Sequence, residues 1–196
     1  MPYSPEHKQR SRERILESAY RLFITRGYAH TTIDEVMAEA GLTRGAFYAH
    51  FANKDDLYQA AIQHAANTSY VAAQRPDGMS EVQWLSRLLK LYLSDAHVAF
   101  KGRPCPLASL VTDMTIRDAG VRKSYTESFK GFNRIINQAL GKSEVRNATT
   151  LAVSAMMVGA VAIARAVQDT SLRHELLASC QHLAVDLLEL EGIRVE

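Results

Sequence analysis

The sequence predicts an all-α protein made of two helical domains. Apolar side chains recur at three- and four-residue spacing along most of the 196 residues, whereas the alternating patterns typical of strands are short. Glycine and proline separate the helical segments, for example at Gly27, Gly41 and Pro106. A polar stretch, RPDGMS, predicts a loop at 75–80. We therefore expect an N-terminal domain over 1–53, a linking helix over 54–74 and a C-terminal domain over 75–196.

The N-terminal domain is predicted to hold three helices. The first covers about 9–26, and its apolar face ends at a glycine, the residue favoured at helix C-termini. The second opens with a capping box, in which Thr32 and the glutamate three residues later satisfy each other's backbone groups. Thr43 is expected to cap the third helix, over 44–50, and Asn53 the helix that follows. A further helix is predicted to begin at Ser80. The remaining helices are predicted over 107–115, 119–140, 144–168 and 172–190.

The composition excludes several classes of protein. Hydrophobic residues make up 47% of the chain and charged residues 22%, as in soluble proteins with a packed core. The two cysteines offer neither a disulfide framework nor zinc-ligand spacing, and no glycine-rich phosphate loop is present, so no cofactor is expected. The polar start of the chain does not resemble a secretory signal, and the longest apolar run, 151–164, is too short to cross a bilayer. We expect a cytoplasmic protein that does not contact a membrane.

The stretch LTRGAFYAHF, at 42–51, predicts an element that reads DNA. A helix, a glycine-containing turn and a short helix form a helix-turn-helix. On the short helix, Phe47 and Phe51 share one face and should anchor it, whereas Arg44 and Tyr48 share a neighbouring face beside Gly45. Net charge does not carry this prediction, because acidic and basic residues balance in the first 60 residues and the whole chain carries only +2. The positions of the side chains carry it.

Each outward side chain has an expected partner on a duplex. Arg44 can offer its two N–H groups to guanine, and Ala46 can touch a thymine methyl group. Lys54 stands at a helix start, where a cation opposes the helix dipole, and this favours an external anion as its partner. Taken singly, Tyr48 or Lys54 could equally be an ordinary surface residue. The expected phosphate contacts are Thr32, Thr43, Tyr48, His50 and Lys54, together with the basic arm Lys8, Arg10, Arg12 and Arg14.

The stretch TTIDEVMAEAGLTRGAFYAHFANKDDLYQAA closely resembles the N-terminal signature of the TetR/AcrR family of bacterial transcriptional regulators. Met37 stands where the family usually has alanine. The resemblance implies a homodimer on a near-palindromic double-stranded operator, with repression relieved when a small molecule binds the C-terminal domain. The matching elements are Thr32-Ile33, Ala40-Gly41, the Gly45-x-x-Tyr48-x-His50-Phe51 core, Lys54 and Leu57. The DNA-contact positions implied by resemblance are Thr32, Thr43, Arg44, Gly45, Tyr48, His50 and Lys54.

The C-terminal domain offers a candidate dimer interface. Small residues recur at three- or four-residue spacing along the helix predicted over 144–168, which permits close approach of another helix. With the last helix it could form a four-helix interface across a twofold axis. By pattern alone, the same helix could instead be buried within one subunit, and the family resemblance favours the interface. The small residues are Ala148, Ala152, Ala155, Gly159, Ala162 and Ala166, and the leucines of the last helix are Leu176, Leu177, Leu183, Leu187 and Leu188.

A ligand pocket is expected among the helices of this domain, because apolar and amphipathic side chains are frequent there. The same residues could be plain core. The candidates for contact with a small-molecule effector are Trp84, Leu88, Tyr92, Cys105, Met114, Tyr125 and Phe129.

Cys105 is a candidate sensor residue. It precedes a helix start and follows Lys101 and Arg103, and both features should lower the pKa of its thiol. The stretch GRPCPLASLVTD also resembles a GC-x-x-A-x-L segment of TetR-family regulators that respond to electrophiles or oxidants, although here Pro and Arg separate the glycine from the cysteine. Two alternatives stay open: a small residue packed under the loop, and a helical thiol-dependent redox enzyme. For such an enzyme, the sequence offers no second cysteine near Cys105 and no evident acid to orient His97, so we expect a non-enzymatic protein.

Overall fold

The computed structural model describes residues 4–68, 76–99, 104–140 and 144–190. Within these ranges helix follows helix and no strand occurs, which confirms the predicted fold class. The helices are α1 (Pro5–Arg26), α2 (Ile33–Glu39), α3 (Arg44–Phe47), α4 (Lys54–Asn67), α5 (Glu81–Tyr92), α6 (Asp95–Val98), α7 (Pro106–Leu110), α8 (Ala119–Leu140), α9 (Glu144–Ala166) and α10 (Thr170–Leu190), with a 3-10 helix at Asp113–Ile116 between α7 and α8.

Side-chain caps start several of these helices as the sequence predicts. Thr32 and Glu35 form the reciprocal capping box at the start of α2, and Ser80 forms a second one with Gln83 at the start of α5. The Asn53 side chain accepts a hydrogen bond from the backbone N–H of Asp56 at 2.8 Å. Thr43 has the extended backbone of an N-cap, but its side chain makes no capping hydrogen bond.

Several helices differ from the predicted ones. The first begins at Pro5 and not near residue 9. The helix α9 ends at Ala166 and α10 begins at Thr170, each two residues from its predicted bound. The helix predicted over 54–74 is described as α4 up to Asn67, and residues 69–75 lie outside the described ranges.

The short helix predicted over 44–50 ends at Phe47, because the N–H groups of His50 and Phe51 both turn back to the Phe47 carbonyl. The helix predicted over 107–115 is interrupted after Leu110 and continues as the 3-10 helix. The short helix α6, capped by the Ser94 side chain, was not predicted, since four residues are too few to show a helical period.

The first compact unit consists of residues 1–67 and 110–128. Its core lies where α1 packs along α4 and α2 packs against α1. Val121 and Leu110 are buried in the same core, at 0% and 2% exposure. The segment 110–128 therefore packs with the N-terminal helices, although its position in the sequence suggested the C-terminal domain.

The second compact unit consists of residues 68–109 and 129–196. In this unit α9 packs along α10, and α5 contacts both. Within α9, the stretch Asn147–Ala166 has the length and composition of a membrane span. It extends beyond both ends of the apolar run 151–164, which was predicted from the sequence to be too short to cross a bilayer. The same stretch buries Val153, Met157 and Val161 completely, and a core helix meets the length and composition test equally well.

Candidate nucleic-acid interface

The turn between α2 and α3 is shaped by Gly41. Its φ is +64°, a conformation that side chains rarely adopt, and a Cβ atom there would lie 2.7 Å from Nη2 of Arg14. Arg14 itself donates a hydrogen bond to the Ala40 carbonyl at the end of α2. The backbone N–H of Leu42 bonds to the Met37 carbonyl at 2.9 Å. These contacts fix where α3 begins, and they employ Arg14, which the sequence assigned to the DNA-contacting arm.

Two phenylalanines hold α3 against the first unit, as predicted. Phe47 is completely buried, and Phe51 is only 3% exposed. Their ring centroids lie 5.8 Å apart, and the Arg12 guanidinium lies 5.3 Å from the Phe51 ring. Because both rings belong to the core that α1 and α4 form, α3 is held on a rigid support.

The opposite side of α3 faces solvent. Tyr48 is 61% exposed, far more than an ordinary aromatic residue of the core. Thr43, Arg44 and Gly45 are also exposed. An arginine, a tyrosine hydroxyl and bare backbone therefore lie on one outward surface, the arrangement that the sequence predicts.

Arg44 has a partner in the free protein that the sequence did not predict. Its Nη1 lies 2.5 Å from Oδ2 of Asp34 in the first turn of α2. Both side chains are 59% exposed. The two residues are ten positions apart, so no helical spacing links them.

A cleft of about 820 Å³ lies between the start of α1 and α3. Lys8, Thr43, Ala46 and His50 are among the residues that line it. The half-buried His50 has no hydrogen-bond partner at Nδ1. Burial is the main cause of its lowered pKa, and Lys8 and Arg12 lower it further. His50 is thus neutral near pH 7, and a neutral imidazole can donate one hydrogen bond to a phosphate.

Lys54 has partners within the protein, whereas the sequence suggested an external anion as its partner. Its Nζ donates a hydrogen bond to the Tyr28 carbonyl at 2.5 Å, and it lies 4.0 Å from the centroid of the Tyr28 ring. Burial is the main cause of the lowered pKa of Lys54, and the nearby Arg117 lowers it further. The unfavourable position at the helix start therefore has an intramolecular explanation as well as an external one.

The predicted ligand-pocket residues are distributed over both units. Trp84, Leu88 and Tyr92 are buried in the second unit. Met114 and Tyr125 belong to the core of the first unit. A cleft of about 530 Å³ along α5 is lined by none of the seven candidates. The ligand pocket therefore stays a prediction.

Cys105 is buried, as the alternative of a small packed residue predicts. The residue is 7% exposed, and burial raises the pKa of its thiol, although contacts with Tyr92 and with nearby backbone N–H groups act in the opposite direction. The prediction of a lowered pKa is therefore wrong, because burial outweighs the helix start. Lys101 and Arg103 lie outside the described residues. Phe129, the remaining pocket candidate, is half-buried.

The α9–α10 pair has two distinct surfaces. One side of α9 is buried within the unit, at Val153, Met157 and Val161. The other side exposes Leu151 and Ile163, at 45% and 52%. On this side and on α10, further exposed apolar residues are Ala148, Ala152, Ala155, Ala166, Leu172 and Leu183, while Gly159, Ala162, Leu176 and Leu187 are half-buried and Leu177 and Leu188 are buried.

The chain matches a known family through its N-terminal part. Residues 15–61 match the family described as bacterial regulatory proteins, tetR family. Over 88 residues the chain is 40% identical to the HTH-type transcriptional regulator TtgR of Pseudomonas putida, and this covers 45% of the chain and 42% of TtgR. The match thus spans less than half the length of TtgR. A longer match of 181 residues, at 25% identity, covers 87% of the chain and 94% of the HTH-type transcriptional regulator LmrA of Bacillus subtilis.

Solved structures share the fold along most of the chain. The reduced form of NemR from E. coli has a TM-score of 0.75 at 17% identity, covering 90% of this chain and 95% of that one. A TetR transcriptional regulator from Chloroflexus aurantiacus has a TM-score of 0.73 at 22% identity, covering 97% and 98%. The match over residues 15–61 coincides with the helix-turn-helix, so this N-terminal region is that of the TetR family of bacterial regulatory proteins, and the fold of the solved TetR-family structure agrees along most of the chain.

Proposed function

We propose that the protein is a transcriptional regulator that places α3 in the major groove of an operator. The observation that carries this proposal is the outward surface of α3, where Arg44, Gly45 and Tyr48 are exposed above the buried Phe47 and Phe51. A short helix with one buried face and a polar, nearly flat outer face is what groove recognition requires. The names of TtgR and LmrA as transcriptional regulators support the same activity.

The residues on and around this surface divide into base-reading and phosphate-binding groups. Arg44 supplies the bidentate donor that suits guanine, and Ala46 beside it is small enough to meet a thymine methyl. Tyr48 and Thr43 supply hydroxyl groups for phosphate oxygens. The Thr32 hydroxyl donates to Oε2 of Glu35 at 2.8 Å, so it would reach a phosphate only by exchanging that hydrogen bond.

Lys54 is restrained by its hydrogen bond to the Tyr28 carbonyl and retains donors for a phosphate. His50 lines the cleft beside α3 and is the other candidate for a phosphate contact.

We further propose that the regulator acts as a cytoplasmic homodimer on a near-palindromic operator. The exposed apolar side of α9 and α10, with Leu151, Ile163 and Leu183, is the surface on which the second subunit would pack. A twofold dimer presents two copies of α3 to successive major grooves, so the operator would carry the same symmetry.

Repression with release by a small molecule is the proposed mode of regulation. A relative with a matching N-terminal region, BepR of Brucella suis, is named a transcriptional repressor, at 44% identity over 55 residues. The second unit holds the buried aromatic residues Trp84 and Tyr92, which would contact an apolar effector. Modification of Cys105 by an electrophile remains a hypothesis about the effector. It would require the thiol to become exposed first, because burial now raises its pKa.

The redox enzyme is the weaker interpretation. A thiol-dependent enzyme needs an accessible thiolate, whereas Cys105 is buried. His97 lies beside Cys105, but its Nε2 faces the Cys105 backbone N–H at 3.4 Å, which does not place it as a base for the thiol.

Selection of bound fragments from the source genome tests this function. The fragments should share a near-palindromic sequence, and binding to it should weaken steeply with salt because several phosphate contacts release counterions. Arg44→Ala serves as the comparison, since it should still bind DNA but lose base preference. Absence of sequence-specific binding at low salt would rule out the proposal.

A further inference from the structure

A set of polar contacts encloses Tyr28 in the first unit. We name Tyr28, Lys54, Tyr58, Asp113 and Arg117 the Tyr28 cluster. Two cations lie against the same ring, since Nζ of Lys54 is 4.0 Å and Cζ of Arg117 is 4.4 Å from its centroid. Cation–π contacts of this kind are strongest where the cation is partly removed from water.

The second half of the cluster fixes Arg117. Its Nη2 lies 3.1 Å from Oδ1 of Asp113, and its side chain is only 15% exposed. The Tyr58 hydroxyl donates a hydrogen bond to Oδ2 of the same carboxylate at 2.5 Å. Each oxygen of Asp113 thus has one partner, which holds the guanidinium in one orientation.

These contacts form a closed path that begins and ends on α4. The path runs from Tyr58 to Asp113, then to Arg117, to Tyr28 and to Lys54. Lys54 and Tyr58 are four residues apart on α4 and therefore share one face. The rings of Tyr28 and Tyr58 also pack together, with centroids 5.0 Å apart. Lys54 thus shares the Tyr28 ring with a residue more than 60 positions later in the chain.

The ammonium of Lys54 is held in place, and it has more N–H donors than the one hydrogen bond to Tyr28 requires. It has three N–H donors, and the Tyr28 carbonyl accepts one of them. A lysine on an unrestrained stem loses rotamer freedom when it meets a phosphate, whereas one that the protein already holds in place loses less. A restrained lysine at a DNA-facing helix start therefore binds phosphate more tightly than a free one.

We propose that Arg117 is a positioning residue for DNA binding, which acts through the Tyr28 ring to hold Lys54 ready for a backbone phosphate. This inference rests on the proposed DNA-binding function. It adds a residue outside the 15–61 region that matches the family. The Tyr28 hydroxyl also donates a hydrogen bond to Oδ1 of Asp55, so the ring has a further partner on α4.

A double-mutant cycle on DNA binding tests the proposal. The variants are Arg117→Ala, Lys54→Ala and the double variant. A random-sequence duplex is a suitable probe, because a phosphate contact affects all sequences alike. Arg117→Ala should weaken binding by about three- to tenfold when Lys54 is present. It should have no further effect when Lys54 is alanine, since a residue that acts through Lys54 cannot act without it.

The salt dependence separates positioning from a structural effect. If Lys54 loses its place, the slope of log affinity against log salt should fall by up to about one in Arg117→Ala, as in Lys54→Ala. A loss of stability alone would leave that slope unchanged. Arg122→Ala is the matched control, because Arg122 is an exposed arginine of α8 and its removal changes net charge equally. Asp113→Asn provides a second variant, since it removes the ion pair with Arg117 but keeps an oxygen that can accept the hydrogen bond from Tyr58.

The outcomes are distinct. If the unaltered protein binds no DNA, the proposed function fails and this inference fails with it. If the unaltered protein binds DNA and Arg117→Ala weakens binding equally in both Lys54 backgrounds, Arg117 does not act through Lys54. Unchanged binding by Arg117→Ala and Asp113→Asn would also overturn the inference while leaving the proposed function intact.

Discussion

Asp34 and Arg44 form an ion pair across the helix-turn-helix, with Oδ2 and Nη1 2.5 Å apart. The pair joins the first turn of α2 to the start of α3. Both side chains are 59% exposed, and exposed pairs contribute little to folding stability. We therefore expect the ion pair to affect DNA binding more than stability. A carboxylate beside a base-reading arginine both orients that arginine and repels phosphates.

The first prediction concerns base discrimination. Arg44→Ala should cost about 1–3 kcal/mol on the preferred operator and little on random-sequence DNA, because the bidentate contact is specific for guanine. Asp34→Asn should act differently. It should tighten binding to random-sequence DNA, since a negative charge is lost, and lower the preference for the operator, since Arg44 is no longer oriented. The ratio of the two affinities for each variant is the measurement. An Asp34→Asn protein with an unchanged ratio would show that the pair has no role in recognition.

The sequence predicted contacts that depend on local spacing. The inward positions of Phe47 and Phe51 follow from their four-residue separation, and the Thr32 capping box follows from the glutamate three residues later. Such features require only a helix and its neighbours along the chain. The outward position of Tyr48 could therefore be inferred before the structure.

The contacts that could not be predicted join residues distant in sequence. Lys54 meets Tyr28 and, through its ring, Arg117, and no periodic pattern connects the three. The pKa of Cys105 also depends on residues that are distant in sequence. The helix start and cations beside it in sequence favour a low pKa, but burial, which depends on the whole fold, raises it. A group's neighbours along the chain are visible in the sequence, whereas its burial is not.

The second prediction is a stability change that depends on His97. Its Nδ1 donates a hydrogen bond to the Tyr92 carbonyl at 2.7 Å, and burial is the main cause that lowers its pKa from 6.5 to about 4. The nearby Arg165 lowers the pKa further. The folded state thus favours neutral His97, and this contribution to stability is complete above pH 6.5 and is lost as the pH falls towards 4.

Denaturant unfolding at two pH values checks this sign. Between about pH 7.5 and about pH 5, His97 should account for about 2 kcal/mol of lost unfolding free energy. In His97→Gln, whose amide cannot titrate but can both donate and accept, the loss should be smaller by about that amount. Equal pH dependence in the two proteins would contradict the neutral assignment. The comparison removes the contribution of carboxylates, which titrate in both.

The third prediction orders the reactivity of the two thiols. Cys105 is buried, whereas Cys180 is half-buried, and burial raises the pKa of both thiols. Iodoacetamide at neutral pH should therefore alkylate Cys180 first, with Cys105 slower by at least about tenfold because it reacts only after local opening. Peptide mass spectrometry over time measures both rates, and denatured protein provides the reference. Faster labelling of Cys105 would instead support its role as a sensor, as would operator release by a thiol reagent that Cys105→Ser abolishes.

The last prediction concerns the exposed apolar side of α9 and α10. Ile163 and Leu183 are half exposed, although each is large and apolar. Contiguous exposed apolar residues on a folded unit mark an interaction surface. Because a charge would be buried at the proposed interface, Ile163→Glu should weaken dimerisation by more than about 2 kcal/mol, or more than about thirtyfold in Kd. Glutamate is a good helix former, so the monomer should still fold.

Analytical ultracentrifugation decides between the interface and a purely solvated surface. The unaltered protein should sediment as a dimer and Ile163→Glu as a monomer at the same concentration. Ile116→Glu is the matched control, because Ile116 is 74% exposed in the 3-10 helix of the first unit, away from α9 and α10 in sequence. The control should remain dimeric. A dimeric Ile163→Glu would exclude this part of α9 from the interface, whereas a monomeric unaltered protein would contradict the homodimer itself. Since two copies of α3 bind adjacent grooves only when joined, Ile163→Glu should also lose affinity for the full operator while keeping its affinity for a half-site.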